Sequence, residues 1–258
     1  SLQLGLTGVA LCNLTVHLIL ACISFAVIYA QGVRFAQIKL RNAPWMKGYC
    51  QKAAISGMES FIRNAVFAAV ILKMINMAES SGDFWLMNQF IWGWLLLPVL
   101  AVAQLAKQDA AVHQALSAAK IGAYLLLVAG VIAVWLLTMP WWESFIQHVL
   151  GAEHARQIAQ MAMWMIGCYA LFAWNSVLDQ YFYGIGRIDL ILHQTIIVNT
   201  LFYGAVYILH IMNLIALNLQ NILLIFGLSL ILDSILTFAQ YLRLRRQQNK
   251  RFVLNAAL

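Results

Sequence analysis

Carboxylates inside otherwise apolar segments are the residues of this chain whose types could do chemistry. Glu59 lies four residues before Arg63 in residues 52–77, a stretch that is otherwise mostly apolar. Asp179 and Asp233 lie in two further apolar segments. An ionisable group within a membrane span costs about 2.5 to 3.5 kcal/mol on insertion scales, so it normally faces a bundle interior or a wet cavity and has a function there.

Glu59 and Asp179 are expected at matching depth on two different helices. At 1.5 Å per residue, both lie about 10 to 12 Å from the cytoplasmic ends of their segments. Carboxylate oxygens are hard ligands that suit Na⁺, whereas burial beside a second acid favours a bound proton. We therefore predict that the two acids share a cavity and bind a coupling ion, Na⁺ or H⁺, in competition with a cationic substrate.

Each charged residue also has a structural interpretation, which the sequence leaves open. Glu59 and Arg63 have the i, i+4 spacing of an ion pair that would neutralise both. Arg63 is too deep to reach the interface easily, so it pairs with Glu59 or meets an anionic substrate or another helix. Asp233 contacts an ion or substrate, or makes a packing hydrogen bond to a neighbour such as Ser234.

Uncharged polar residues extend the set of candidate cavity residues. The third apolar segment contains Asn88, Gln89 and Trp92, followed by Pro98, which removes a backbone hydrogen bond and permits a kink. Interrupted helices recur at transporter sites, but polar side chains also serve helix packing. Further amides within spans are Asn64, Asn175 and Asn199.

Composition identifies the class of protein. The chain has 258 residues, of which 63% are hydrophobic and 10% charged, and its mean hydropathy is +0.80, far outside the soluble range. The formal charge of +7 is carried by cations between apolar segments, so we expect the lipid bilayer and no nucleic acid as a partner. Cysteine and histidine show no metal-ligand spacing, so we expect no cofactor and no metal other than Na⁺. Seven segments are long enough to span a bilayer: 6–30, 52–77, 84–105, 121–139, 158–184, 188–212 and 215–241.

The charges of the connections predict the topology and the domains. The connection from Arg34 to Lys52 carries five cations and no acid, so the positive-inside rule makes it cytoplasmic. The remaining connections alternate, with an outer loop at 140–156, and the chain ends inside. We expect a first helix (1–32), a basic linker (33–51), a six-helix block (52–246) and a cytoplasmic tail (247–258), in the plasma (inner) membrane. A start at Ser1 without Met predicts a fragment of a longer protein.

Three stretches in order resemble the C-terminal lobe of the multidrug and toxic-compound extrusion (MATE) transporters. They are SGMESFIRN after the basic linker, FWLMNQFIWGWLLLP in the next helix and NSVLDQYFYGIGR three helices later. The resemblance implies half of a twelve-helix, two-lobe antiporter that exports drug-like cations, with the first helix ending an N-terminal lobe otherwise missing from this chain. It also implies that Glu59 and Asp179 correspond to the family's cation-binding acids.

Three other functions compete with this one. A related lipid-linked oligosaccharide flippase would share the architecture, with Arg63 meeting an anionic headgroup, but one deep arginine among acids does not favour it. A membrane-embedded enzyme such as a lipid-head transferase needs clustered Asp or His to hold a metal. A seven-helix photoreceptor needs a buried Lys where this chain has Asp233. We expect a transporter and not an enzyme.

Overall fold

The computed structural model describes residues 5–32, 45–77 and 81–256, and within these ranges it is helical and contains no β-strand. Seven helices of the described ranges are long and apolar enough to cross a membrane. The predicted all-α polytopic bundle of seven helices is therefore confirmed. In chain order the helices are α1 (Gly5–Ala30), α2 (Met46–Asn76), α3 (Ser81–His113), α4 (Ala118–His148), α5 (Ala155–Gly184), α6 (Ile188–Ile211) and α7 (Leu219–Ala256, apolar over Leu219–Gln247).

The chain divides into two compact units, Ser1–Cys50 and Gln51–Leu258. The first contains α1, and the second contains the six remaining helices from the body of α2 onward. This boundary agrees with the predicted start of the six-helix block at residue 52. Residues 33–44 of the predicted linker, residues 78–80 around Glu79 and the tail residues 257–258 lie outside the described part of the chain.

The predicted linker is wrong over its last six residues, because α2 begins at Met46 and not at Lys52. The rings of Trp45 and Tyr49 pack edge to face with centroids 5.9 Å apart. Since these residues are four apart, the contact needs one helical turn. Local aromatic packing therefore extends the helix into sequence whose positive charge predicted a loop.

The predicted outer loop that begins at Pro140 is wrong over residues 140–148. A single 3₁₀ turn, Met139–Trp141, leads from the first part of α4 into the helix Trp142–His148. Proline fits the first turn of a helix because the N–H it lacks has no partner there. Trp142 is buried against Phe90, with ring centroids 5.3 Å apart, and its indole donates to Thr138 Oγ1 at 3.2 Å.

Helix α3 continues to His113, beyond the end predicted for this span at residue 105. Ala106 and Ala110 are buried in this added part of α3. Beyond the turn, Lys120 forms a 2.8 Å ion pair with Asp109, and Tyr124 donates to the same carboxylate. The ion pair of Lys120 with Asp109 thus joins α4 to α3.

Three of the described helices contain a π-helical segment: Phe67–Ile71 in α2, Ile91–Leu95 in α3 and Ile196–Phe202 in α6. Such segments are frequent at functional sites, because the wider turn changes which way the side chains point. The segment in α3 ends three residues before Pro98, and the carbonyl oxygen of Leu95 accepts a hydrogen bond from the Trp135 indole at 3.0 Å. The helix is thus widened just before Pro98, the residue at which the sequence permits a kink.

Helix α5 lies at the centre of the six-helix unit and packs against both α3 and α7. Its buried side chains include Tyr169, Ala173 and Val177. At its end, Gly184 approaches α3 so closely that an added Cβ would lie 2.5 Å from the Lys107 carbonyl oxygen. The close packing fixes the depth of α5, and so of Asp179, relative to α3.

Helix α5 ends at Gly184, the end predicted for this span, and a tight turn follows it. The Arg187 amide donates to the Phe182 carbonyl at 2.9 Å, and Gly186 adopts a left-handed φ of +72°. This is the usual hydrogen-bonded helix ending with glycine. An added Cβ at Gly186 would lie 2.7 Å from Lys52 Nζ, so the lysine side chain of α2 reaches this turn.

Candidate functional site

A cavity of about 410 Å³ lies among α2, α3, α5, α6 and α7, and it contains the predicted acids. Glu59 and Asp179 both line it, and so do Asp233 and Arg63. The two acids, on α2 and α5, therefore line one cavity. Their matching depth stays a prediction.

Glu59 is 99% buried and accepts hydrogen bonds from three helices. Its carboxylate pairs with Arg63, whose Nη2 lies 2.8 Å from Oε1 and 3.0 Å from Oε2. Tyr183 on α5 donates to Oε2 at 3.2 Å, and Thr195 on α6 donates to Oε1 at 3.1 Å. The ion pair anticipated from the i, i+4 spacing is present, and it joins α2, α5 and α6 at one carboxylate.

Asp179 is held by a different set of partners. The hydroxyl of Thr237 on α7 lies 3.1 Å from Asp179 Oδ1, and it accepts a 2.6 Å hydrogen bond from the Gln194 amide on α6. Thr237 and Gln194 are buried, whereas Asp179 is half-buried. The second Asp179 oxygen accepts no hydrogen bond from the described residues, so it is available to an ion in the cavity.

Asp233 completes the acidic part of the cavity. Asn175 on α5 donates to Asp233 Oδ2 at 2.7 Å, so the expected partner Ser234 is not the one observed. The Ser234 hydroxyl instead donates to the Leu230 carbonyl oxygen of its own helix. Asp179 and Asp233 line the same cavity. Two carboxylates close together in a poorly solvated site are stabilised by a shared cation or proton.

Part of the cavity wall is aromatic. Trp92 packs against Phe172 with ring centroids 5.4 Å apart, and Phe84 packs against Phe226 at 5.9 Å. Trp85 contacts both Phe67 and Phe84 edge to face. Aromatic faces attract organic cations, because their π electrons carry partial negative charge. One cavity thus offers both negative charge and aromatic surface, among aliphatic and uncharged polar side chains.

The predicted polar residues divide according to helix face. Asn88 and Trp92 line the cavity, as does Asn199, and Asn88 accepts a 3.1 Å hydrogen bond from Tyr169. Asn64 and Gln89 are exposed and do not line this cavity. Each lies one residue after a cavity residue, and one step around a helix turns a side chain by about 100°.

Asn175 is also displaced from the cavity that was predicted for it. It is buried and lines a separate apolar groove on the far side of α5 and α7, while its amide reaches Asp233. Asn175 therefore supports an acid of the cavity from behind and does not face the cavity itself.

Several residues that build the site were missed by sequence reasoning. They are uncharged polar side chains whose types are common in packing, so their partners on other helices could not be read from spacing. Two adjacent polar residues in the otherwise apolar α6, Gln194 and Thr195, could have indicated the site from the sequence. Tyr183 lies one residue before the end of α5. The missed residues are Ser176, Gln180, Tyr183, Gln194, Thr195 and Thr237.

The donor set favours the aspartates over Glu59 as direct ligands of a cation. Both Glu59 oxygens already accept hydrogen bonds, whereas Asp179 and Asp233 each keep one oxygen without a donor among the described residues. Gln180, which lines the cavity, has a buried Oε1 that also lacks a partner there. Carboxylate and amide oxygens suit a hard cation such as Na⁺. Within the described ranges no cluster of three or more His, Cys, Asp or Glu suits a bound metal.

The charged residues at the turn between α5 and α6 form a separate pair outside the cavity. Arg187 donates to the Asp189 carboxylate at 2.8 Å, and this hydrogen bond raises the pKa of the guanidinium above its ordinary value. Both side chains are largely exposed. Asp189 pairs with Arg187 and does not line the cavity, so it is a suitable control carboxylate.

Comparison of the chain with family models, with curated proteins and with solved structures found no match in any of the three. The resemblance to the MATE transporters therefore depends on the three motif stretches alone, and membership of that family is a proposal.

Proposed function

We propose that this chain forms one lobe of a cation-coupled antiporter of the MATE type, which exports small cationic or amphipathic organic compounds. The observation that carries the proposal is the composition of the cavity. Three carboxylates and one arginine share it with a wall of Phe and Trp side chains, all on membrane-spanning helices. Acids buried in a membrane are costly unless they bind something, and aromatic walls suit an organic cation.

The three acids have different roles in this proposal: Glu59 supports the structure, and Asp179 and Asp233 bind the coupling ion. Arg63 compensates Glu59, and the pair holds α2 to α5 and α6. Asp179 and Asp233 keep the net negative charge, so they attract Na⁺ or H⁺ and, in competition, the cationic substrate. Exchange requires that competition, because a site that binds ion and substrate in turn couples the gradient of one to the movement of the other.

The cavity has the dimensions of a drug site. Its volume of about 410 Å³ lies within the range of about 300 to 1,000 Å³ typical of small-molecule sites. The three π-helical segments each supply cavity-lining residues, including Phe67, Trp92 and Asn199. Broken helical geometry around a mid-membrane site is common among secondary transporters, in which one lobe rocks against another.

The second lobe, the membrane and the orientation follow from the same proposal. The resemblance implies that a preceding N-terminal lobe of the same protein completes the transport path. The cations between the spans support, by the positive-inside rule, a cytoplasmic C-terminal end of α7. The proposed membrane is the plasma (inner) membrane.

The test is efflux of a fluorescent organic cation from vesicles that contain the full-length parent protein, driven separately by Na⁺ and by H⁺ gradients. The variants are Glu59→Gln, Asp179→Asn and Asp233→Asn, with Asp189→Asn as the matched carboxylate outside the cavity. We expect gradient-driven efflux to fall by about tenfold or more in Asp179→Asn and Asp233→Asn, because a lost charge ligand costs more than about 1.4 kcal/mol. We expect Asp189→Asn to retain it.

Normal efflux in all three cavity variants, at normal expression, would contradict the proposal. In that case translocation of a lipid-linked oligosaccharide is the next assay, because Arg63 is the cavity residue that would meet an anionic headgroup. Loss in Arg63→Gln with no effect in Asp179→Asn would favour this flippase alternative.

A further inference from the structure

A second cavity of about 780 Å³ opens between α4, α5 and α7, on the opposite side of Asn175 from the acidic cavity. We refer to it as the α4–α5–α7 groove. It is lined almost wholly by hydrocarbon, and its exposed members include Leu126, Ile235 and Phe238. The lining residues are Gly122, Leu125, Leu126, Leu171, Trp174, Asn175, Leu178, Ile231, Ser234, Ile235, Phe238, Ala239 and Leu242.

The groove runs along the half of the bundle in which α4 begins and α7 reaches its basic end. Gly122 lies near the start of α4, and Leu242 is the last lining residue of α7. Ile121 and Leu244 belong to one buried cluster, which shows that these two helix ends are level. The groove therefore ends where α7 carries Arg243, Arg245 and Arg246.

Two of these three arginines continue the apolar stripe that lines the groove. At about 100° per residue, Arg245 and Arg246 fall within the same sector of α7 as Ile235, Phe238 and Leu242. Arg243 falls outside that sector by the same count. Arg245 donates through Nε to Tyr241 at 3.1 Å and lies over the Tyr241 ring, and its Nη2 is buried without a hydrogen-bond partner in the described part of the chain. Arg246 is exposed and pairs with no carboxylate of the described residues.

We propose that the α4–α5–α7 groove is a binding site for one anionic phospholipid of the bilayer. An acyl chain lies along the groove, and the phosphate of the headgroup is bound by Arg245 and Arg246. Guanidinium groups bind phosphate with two parallel hydrogen bonds, and anionic lipids are concentrated where basic residues border an apolar span. The charge at the end of the groove is what selects this occupant, because an apolar groove alone would accept any acyl chain.

The experiment is lipid retention by the purified full chain in detergent, measured by native mass spectrometry. The probes are phosphatidylglycerol and phosphatidylcholine with identical acyl chains, and glycerol phosphate as the headgroup without chains. We expect one phosphatidylglycerol to be retained in preference to phosphatidylcholine. Arg245→Gln and Arg246→Gln should each weaken it about fivefold, since a cation near an anionic lipid contributes about 1 kcal/mol. Arg243→Gln, with the same loss of charge at the same depth, should leave retention unchanged.

The groove itself is tested with a matched pair of glycines on α4. An added side chain meets open space at both Gly122 and Gly130, but only Gly122 lines the groove. Gly122→Leu should therefore lower retention of the intact lipid, and Gly130→Leu should not.

Four outcomes would overturn the proposal. These are equal retention of the two phospholipids, equal weakening by Arg243→Gln and Arg246→Gln, no effect of Gly122→Leu, or displacement of the lipid by glycerol phosphate at similar concentration. Complete absence of retained lipid, as expected if another part of the protein covers the groove, would overturn it as well.

Discussion

Thr195 Oγ1 lies 3.1 Å from Glu59 Oε1, and this hydrogen bond connects α6 to α2 inside the bundle. Both side chains are buried. Neither residue predicts the other from the sequence, because 136 positions separate them. The contact shows that the Glu59 carboxylate has a structural duty in addition to any part in ion coupling.

Thr195→Val should destabilise the six-helix unit, because it keeps the shape of the side chain and removes a donor to a buried charge. A hydrogen bond to a charged group contributes about 1.5 to 3 kcal/mol. We expect a lower melting temperature of the purified protein in detergent, measured by the fluorescence of the buried tryptophans. Thr200→Val is the control, because Thr200 is exposed on the same helix. Equal melting temperatures for the two variants would show that the Glu59 contact contributes little.

Thr237→Val should affect both stability and ion binding. The Thr237 hydroxyl lies between Gln194 and Asp179, so its removal leaves one buried amide and one carboxylate without that partner, at a cost of about 1 to 3 kcal/mol. If Asp179 binds the coupling ion, loss of this partner should also change its affinity. We expect both a lower melting temperature and an altered dependence of efflux on Na⁺ or H⁺ concentration. An unchanged ion dependence in a destabilised variant would limit Thr237 to a packing role.

Trp92→Ala should weaken binding of the organic cation and leave ion binding intact, because Trp92 belongs to the aromatic wall and contacts Phe172. A cation over a desolvated aromatic ring gains about 2 kcal/mol or more, which corresponds to about thirtyfold in affinity. Equilibrium binding of a fluorescent organic cation, with and without Na⁺, is the measurement.

Trp94→Ala is the control for this change, because Trp94 is exposed on the same helix, packs on Phe145 and does not line the cavity. Equal losses of affinity in the two tryptophan variants would argue against the aromatic wall as the substrate surface.

Gly184→Ala should destabilise the protein, because the new Cβ would lie 2.5 Å from the Lys107 carbonyl oxygen and 2.6 Å from the Ala110 side chain. Overpacking of this kind typically costs about 1 to 3 kcal/mol. Gly167→Ala on the same helix meets open space and should be neutral or stabilising by up to about 1 kcal/mol. Thermal unfolding of the two variants side by side is the measurement. A neutral Gly184→Ala would mean that α3 and α5 can separate at little cost.

The helices could be predicted from the sequence because long apolar segments have a single stable form in a bilayer. Their ends could not be predicted as well. Met46 and Trp142 lie in helices where charge or proline indicated loops, because local aromatic packing and a buried indole extend the helical structure there. Charge patterns report which side of a membrane a connection lies on, and they do not report where a helix ends.

By itself, the sequence determined that the chain is a seven-helix membrane protein and that Glu59, Asp179 and Asp233 are acids within its apolar segments. It could do so because hydropathy and the cost of a charge in lipid depend on residue type. Only the tertiary structure decided which helix faces meet. It placed Asn88 in the cavity and Asn64 outside it, and it selected Thr195, Tyr183 and Thr237 as the partners of the acids. Those contacts depend on the rotation and depth of each helix. Close packing between helices, such as that of Gly184 against α3, sets both, and the spacing of residues along a single segment does not encode them.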